Sequence, residues 1–317
     1  MLIRKIVFMG TPDFAVPVLS KLARSKFKPQ YVITQPDRPK GRKRKLKPPP
    51  VKVVADSFNI KTLQPVDVND EETMRILNDY QPDIIITVAY GGYLKKEIRI
   101  LPKLGCINLH PSLLPKYRGP APINYTLFNG DEETGNTIFK IRAKIDSGKI
   151  LFQTKTDVTP DDDYTTLQDR LAVLGADDLI NCLQLLEKDE IDYLSQNHKK
   201  ATFTQKIKKS DTFIDWEKMT AKQIHNLVRG LAKKPGAVAS FRGKRMKLIL
   251  VEVLNDCSED SPGTVVEIFD KKGFRVTTID KEIIIEELQP AGKRIMKSFE
   301  YDLGANVKIG EKFGKGF

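Results

Sequence analysis

The sequence predicts an α/β protein in two parts: a Rossmann-like, doubly wound N-terminal domain, joined by a linker to a small C-terminal β-barrel of OB-like type. Three observations carry this. Short apolar runs at 5–9, 31–34, 83–89 and 106–109 alternate with helical periodicity, as in a mostly parallel sheet covered by helices. A long amphipathic stretch at 167–186 gives way to a polar, lysine-rich passage ending near Lys209, where the pattern changes. Beyond Trp216 and one helix, five short strand-like runs are separated by glycine turns, the habit of small antiparallel barrels. The expected boundaries are 1–190 for the first domain, 191–209 for the linker and 210–317 for the second.

The opening unit is a strand at 5–9, a turn at Gly10-Thr11-Pro12-Asp13, and a helix whose apolar face holds Val16, Leu19 and Leu22. The turn has a single glycine, so the G-x-G-x-x-G dinucleotide fingerprint is absent and a nicotinamide enzyme is discounted. After the strand at 31–34 comes Q-P-D-R-P-K-G-R-K-R-K-L-K-P-P-P. Six basic residues, Lys40, Arg42, Lys43, Arg44, Lys45 and Lys47, fall within eight positions there. The bracketing prolines predict a long exposed loop with neither helix nor strand. Lying at the carboxyl end of a strand, such a loop overhangs the crevice where open α/β sheets bind ligands, and its charge suits a polyanion.

Residues 51–58 and 70–80 read as helices, the second capped by Asn69 or Asp70. The near-continuous apolar run at 83–89 is a buried parallel strand, broken by Tyr90-Gly91-Gly92-Tyr93. A helix around 94–101 leads into G-C-I-N-L-H-P-S-L-L-P-K-Y-R-G, residues 105–119, on which the functional reading turns. A strand at 106–109 delivers Asn108 and His110 into a loop stiffened by Pro111 and Pro115. Side chains two apart on a strand share a face, so an amide able to donate to an oxyanion lies beside an imidazole that titrates near neutrality. Taken alone, the pair reads equally well as a strand-end cap and an ordinary loop histidine. A helix to Phe128, a strand-like alternation at 137–145 and the turn Asp146-Ser147-Gly148 follow.

Asn108 and His110, with Ser112-Leu113-Leu114-Pro115, Tyr117-Arg118-Gly119 and Ile145-Asp146-Ser147-Gly148, resemble the signature of the folate-dependent formyltransferases. The resemblance extends through the opening G-T-P-D-F-A, His225 to Leu231, Pro235-Gly236-Ala237 and Leu288 to Lys293, and so covers almost the whole chain. It implies transfer of the formyl group of 10-formyltetrahydrofolate to an amine, with Asn108, His110 and Asp146 as the catalytic trio. It further implies a pterin pocket lined by Tyr90, Gly91, Gly92 and Ser112, Leu113, Leu114, Pro115. The 35–42 segment resembles the inserted loop of the tRNA-directed branch, which enters the acceptor stem of initiator methionyl-tRNA. Lys233-Lys234 departs from the pattern, since relatives commonly place an aromatic residue there.

On this reading Asn108 and His110 donate to the developing oxyanion and Asp146 accepts the proton of the attacking amine. The tRNA contacts expected are Arg38, Lys40, Arg42, Lys43, Arg44 and Lys45 on the first basic segment, and Lys206, Lys208 and Lys209 on the second. Arg42 stands out among them, because a guanidinium suits bidentate phosphate or base contact. No metal is expected, since an amide, an imidazole and a distant carboxylate are an ill-matched ligand set.

Composition bounds the alternatives. With 53 Lys and Arg against 41 Asp and Glu the formal charge is +12, a field that draws polyanions. No apolar stretch approaches the roughly 20 residues of a membrane span, and the start reads as a strand rather than a signal peptide, so a cytoplasmic protein is expected. Cys106, Cys182 and Cys257 have neither zinc-site nor disulfide spacing. Three functions stay open: formylation of initiator methionyl-tRNA, the same chemistry on a small amine or on water, and a nucleic-acid binder that has lost catalysis. The basic segment and the C-terminal barrel favour the first, because a small substrate needs neither. A monomer is the expected state.

Overall fold

A computed structural model describes residues 2–41 and 44–316. One compact unit comprises residues 1–122, 133–158 and 168–204, the other 123–132, 159–167 and 205–317.

The first unit begins with β1 (Ile6–Gly10), α1 (Ala15–Ala23) and β2 (Tyr31–Ile33). β3 (Arg38–Lys40), β4 (Lys45–Lys47), α2 (Pro50–Ser57), β5 (Lys61–Leu63), α3 (Glu71–Tyr80), β6 (Ile84–Val88), α4 (Lys96–Ile100) and β7 (Cys106–His110) follow. β8 (Glu133–Lys140), β9 (Ile150–Asp157) and most of α6 (Tyr164–Lys188) complete this unit, whereas all but the first residue of α5 (Pro122–Phe128) and the start of α6 are assigned to the other. The sheet order is β5-β2-β1-β6-β7-β8-β9. β1 and β6 are buried along their whole length, which is why their sequences are unbroken apolar runs. α3 starts where Asp70 takes the Thr73 amide at 2.7 Å, the expected cap.

Two features differ from expectation. The proline-bounded basic segment is not irregular: β3 and β4 form a short antiparallel ribbon, with Arg38 opposite Lys47 and Pro39 opposite Leu46. In a two-stranded ribbon both strands are edges, so an imino acid that cannot donate is tolerated. The mostly parallel sheet also carries a strand the sequence reading did not assign, β9, on an antiparallel edge. β8 runs antiparallel to β7 and β9 antiparallel to β8. β9 escaped the sequence reading because only its first residues are apolar and buried, and the rest is the polar rim of an edge strand.

The second unit holds α7 (Ala221–Gly230), β10 (Ala237–Phe241), β11 (Lys244–Val253), β12 (Val265–Phe269), β13 (Gly273–Thr277) and β14 (Glu282–Pro290). β15 (Met296–Lys297), α8 (Ser298–Ala305) and β16 (Phe313–Lys315) complete it and were not expected. The antiparallel order β12-β13-β14-β11-β10-β16 curls until its edges meet through a bridge between Thr264 and Lys312, giving the OB-like barrel. Its interior is Trp216, Phe241, Phe274, Phe313, Leu248 and Ile285, packed under α7 through Ile224 and Val228. Thr220 opens α7 with a capping box completed by Gln223.

Candidate active site

β6 and β7 lie side by side in parallel register, with Thr87 opposite Asn108. The Thr87 hydroxyl is 2.6 Å from Asn108 Oδ1 and 3.2 Å from the Ile107 carbonyl. The shorter distance is that of an O–H···O bond, too short for a typical N–H donor, so the amide oxygen of Asn108 is the end turned to Thr87. The amide nitrogen is thereby left to face the cavity that Asn108 lines.

That cavity, of about 210 Å³, is walled on one side by Tyr90, Gly91, Gly92, Tyr93 and Leu94 and on the other by Phe139, Ile141, Arg142, Ala143, Ile145 and Asp146. Leu94 and Phe139 are buried and make its floor apolar. Tyr90 is buried too, and burial pushes its phenol up to about 12, so it serves as a neutral wall. Thr11 donates to the Tyr90 carbonyl at 3.0 Å, tying the turn after β1 to this wall.

His110 is buried, its ring edge-on to Phe139 with centroids 6.3 Å apart. Its Nε2 lies 2.9 Å from the Tyr117 carbonyl. A carbonyl can only accept, so Nε2 carries the hydrogen, and Nδ1 is the nitrogen free to gain or lose a proton. Nδ1 faces Asp146 Oδ2 at 3.8 Å, ion-pair rather than hydrogen-bond range. The same Oδ2 accepts the Gly119 amide at 2.7 Å. Asn108 and Asp146 therefore share the cavity, and His110 stands directly behind Asp146.

The loop carrying Asp146 is shaped by two glycines and one glutamine. Gly119 has φ +114°, and a Cβ there would meet the Thr204 carbonyl at 2.7 Å. A Cβ at Gly148 would lie 1.6 Å from the Lys140 carbonyl, so a side chain would force the whole loop to move. Gln196 donates from Nε2 to the carbonyls of Asp146 (2.9 Å) and Gly148 (2.8 Å). Its Oε1 accepts both Nε and Nη2 of the buried Arg118, at 3.1 and 2.5 Å. Arg118 Nη2 also lies 2.9 Å from His198 Nδ1. Burial lowers the Arg118 pKa, partly offset by the charge of Asp146. Arg118 is further locked by backbone bonds to the segment around Phe203, from its amide to the Thr202 carbonyl (2.9 Å) and from the Thr204 amide to its own carbonyl (2.7 Å).

The remaining residues singled out by sequence lie as follows. Tyr90, Gly91 and Gly92 line the cavity; Ser112, Leu113, Leu114 and Pro115 are not among its lining residues. Ser112 and Leu114 are buried and bonded to Thr137, through its hydroxyl to the Ser112 carbonyl (2.6 Å) and from the Leu114 amide (3.1 Å). Arg38, Arg44 and Lys45 are exposed on the β3–β4 hairpin, to which Lys40 contributes backbone pairing. Arg42 and Lys43 lie outside the described residues. Lys206, Lys208 and Lys209 are exposed in the second unit. Among the described residues no group of three or more His, Cys, Asp or Glu is placed to hold a metal ion. Sequence reasoning missed Thr87, Arg118 and Gln196 as supports of the site. Arg118 sat inside the quoted motif, whereas nothing local to Gln196 marks it.

Residues 4–183 match the formyl transferase family and residues 206–306 the formyl transferase C-terminal domain. The methionyl-tRNA formyltransferase of Halalkalibacterium halodurans is 41% identical over 313 residues, covering 98% of each chain. That of Clostridioides difficile is 41% identical over 312 residues, covering 98% of this chain and all of the other. The chain belongs to the methionyl-tRNA formyltransferase family. Solved structures show how widely the fold of this family is shared. An N-formyltransferase from Helicobacter canadensis, in complex with folinic acid and dTDP-3-aminofucose, superposes with TM-score 0.67 at 21% identity, over 91% of this chain and all of that one. HypX from Aquifex aeolicus, in complex with tetrahydrofolic acid, gives 0.62 at 15% identity, over 97% of this chain and 48% of that one.

Proposed function

We infer that this chain, as a methionyl-tRNA formyltransferase, passes the formyl group of 10-formyltetrahydrofolate to the α-amino group of methionine on initiator methionyl-tRNA. The observation that carries the reading is identity of about 40% along both the α/β unit and the barrel, together with Asn108 and Asp146 on one cavity.

The residues present suit the donor. A flat bicyclic head group matches a cavity with an apolar floor of Leu94 and Phe139, and the Gly91-Gly92 turn leaves backbone groups uncovered beside it. The donor supplies an activated formyl carbon, and the chain supplies the rest. Asn108 Nδ2, aimed by Thr87, donates to the oxygen that gains charge as the amine adds. One such preorganised donor is worth on the order of 3 to 4 kcal/mol. The α-amine has an ordinary pKa of about 7.7 to 8.0, so it must arrive neutral and then shed a proton. Asp146 takes that proton, held in place by the Gly119 amide and by Gln196. His110 keeps Nε2 committed to Tyr117 and presents Nδ1 to Asp146 at ion-pair distance, so it supports the carboxylate from behind rather than sharing a hydrogen bond with it.

The β3–β4 hairpin and the exposed Lys206, Lys208 and Lys209 provide the sequence-tolerant, salt-sensitive part of tRNA binding. Two finer expectations go with the reading: action as a monomer, and residence in the cytoplasm, where charged initiator tRNA is used. The decisive experiment incubates the purified chain with 10-formyltetrahydrofolate and methionyl initiator tRNA and measures formyl-methionine. Asn108→Ala should lower kcat about 10²- to 10³-fold. Asp146→Ala should abolish turnover while leaving tRNA binding in place. Formyl-folate hydrolysis without transfer would sink the reading.

A further inference from the structure

Phe203 is 67% exposed, and among the described residues no other phenylalanine is exposed. It does not hang from a loose loop. Segment 202–204 is bonded alongside the 115–118 backbone, with Thr202 donating to the Pro115 carbonyl (3.3 Å), Arg118 to the Thr202 carbonyl (2.9 Å) and Thr204 to the Arg118 carbonyl (2.7 Å). The Thr202 hydroxyl also accepts the Tyr117 amide at 2.8 Å. The guanidinium carbon of Arg118 lies 6.0 Å over the Phe203 ring, so one face of the ring meets a buried cation and the exposure falls on the other. A scattered apolar side chain at a surface needs no explanation; a ring whose backbone is anchored on both sides and whose open face forgoes burial does.

The anchor leads to the site. On either side of Arg118, the Tyr117 carbonyl takes His110 Nε2 and the Gly119 amide holds Asp146. Thr204, the residue after Phe203, packs so tightly on Gly119 that a Cβ there would come within 2.7 Å of its carbonyl. Phe203 is nevertheless not among the residues lining the cavity of Asn108, so the ring stands beside the donor site and not in it. A second observation concerns charge. From His198 to Lys209 the sequence carries five lysines and no acid, with Phe203 among them. Lys199 and Lys200 are exposed, and neither is ion-paired among the described residues.

We propose that Phe203 is a stacking platform for an unpaired base at the 3′ end of the acceptor tRNA, with Lys199 and Lys200 on the phosphates beside it, so that the methionyl ester is positioned toward Asp146. This rests on the formyl-transfer reading. The amine to be formylated is joined through an ester to the last nucleotide of a single-stranded end. Every base there has a π-face, and an aromatic side chain set among cations is how proteins hold such strands without reading their sequence. A duplex keeps its π-faces stacked inside and has no use for the ring. A second copy of this chain would bring another surface of net charge +12 against the same lysines. Because the ring is already ordered, stacking on it loses little rotamer freedom, and one stacked base is worth about tenfold in affinity.

The test measures the Kd of the full chain for intact initiator tRNA and for the same tRNA trimmed of its unpaired 3′ nucleotides, which needs no turnover. Phe203→Leu, apolar but without a π-face, should weaken binding of the intact tRNA about tenfold and leave the trimmed one unaffected. Phe203→Tyr should bind like the wild type, and all three proteins should denature at the same midpoint. An abasic nucleotide placed in turn at each unpaired position should, at one of them, reproduce the loss in the wild type and cancel the effect of Phe203→Leu. Lys199→Gln/Lys200→Gln should lower the slope of log Kd against log salt by roughly 1.4, about 0.7 for each single-strand phosphate; an unchanged slope overturns the part given to the lysines. A leucine variant that binds intact tRNA like the wild type, that loses as much on the trimmed tRNA, or that changes only the KM of the folate donor overturns the platform. Failure of the wild type to bind either tRNA overturns the formyl-transfer reading as well, whereas binding indifferent to Phe203 overturns this proposal alone.

Discussion

The hydroxyl of Thr87 reaches the amide oxygen of Asn108 across 2.6 Å, from the opposite position on the neighbouring parallel strand. An asparagine amide is symmetric in shape but opposite in polarity at its two ends, so this bond decides which end faces the cavity. Thr87→Val keeps the volume and removes the bond. It should lower kcat roughly tenfold, as expected for about 1 to 2 kcal/mol of lost orientation, with the KM for folate changed little. Thr87→Ser should restore most of the rate, whereas a Thr87 that merely packs would show no such rescue.

Gln196 is the counterpart on the other side of the site. Gln196→Leu removes the donor to two loop carbonyls and the acceptor for a buried guanidinium. A loss of about 3 kcal/mol in chemical denaturation is expected, since the charge of Arg118 stays buried without its partner. Activity should fall with it, and Gln196→Glu, which keeps an acceptor for Arg118 but not the donor, should recover stability more than turnover.

The three thiols should sort by burial. Cys106 and Cys182 are buried and pushed up to about 12, while Cys257 is exposed. Only the thiolate reacts, so a thiol reagent should titrate one cysteine per native chain and all three after denaturation. Three rapid equivalents in the native protein would contradict the packing of both α/β cysteines.

In the barrel, Arg242 forks onto Glu311 through Nε at 2.7 Å and Nη2 at 2.6 Å. This holds the Glu311 carboxyl at about 2, below its ordinary 4.5. Because the folded value is the lower one, the stabilisation is present above about pH 4.5 and fades as pH falls toward 2. The pair is partly exposed, so Glu311→Gln should cost only about 0.5 to 1 kcal/mol at neutral pH. Denaturation at neutral pH and near pH 3 should show the gap closing on the acid side.

How much of this was legible in sequence depends on whether the cause was local. β1, β6 and β7 announced themselves because a strand buried on both faces must be apolar throughout, and the α3 cap because Asp70 acts within one turn. The 38–47 hairpin was hidden by a rule about proline that holds for central strands and lapses at edges. Asn108 and Asp146 could be named from motif residues, but not that Thr87 orients the one or that Gln196 holds the loop of the other. Those contacts join residues 21 and 50 positions apart, and neither threonine in an apolar run nor glutamine in a polar passage looks unusual. The face shared by Asn108 and His110 followed from strand geometry. That one lines the cavity while the other is packed behind it against Phe139 did not.

The segment ending at Thr204 lies far along the chain from the carboxylate whose loop it secures, with α6 between them. During synthesis, the sheet and both motif stretches leave the ribosome well before Gln196 does. A chain that stops short of Gln196 lacks at once the donor to the Asp146 and Gly148 carbonyls and the acceptor for the Arg118 guanidinium.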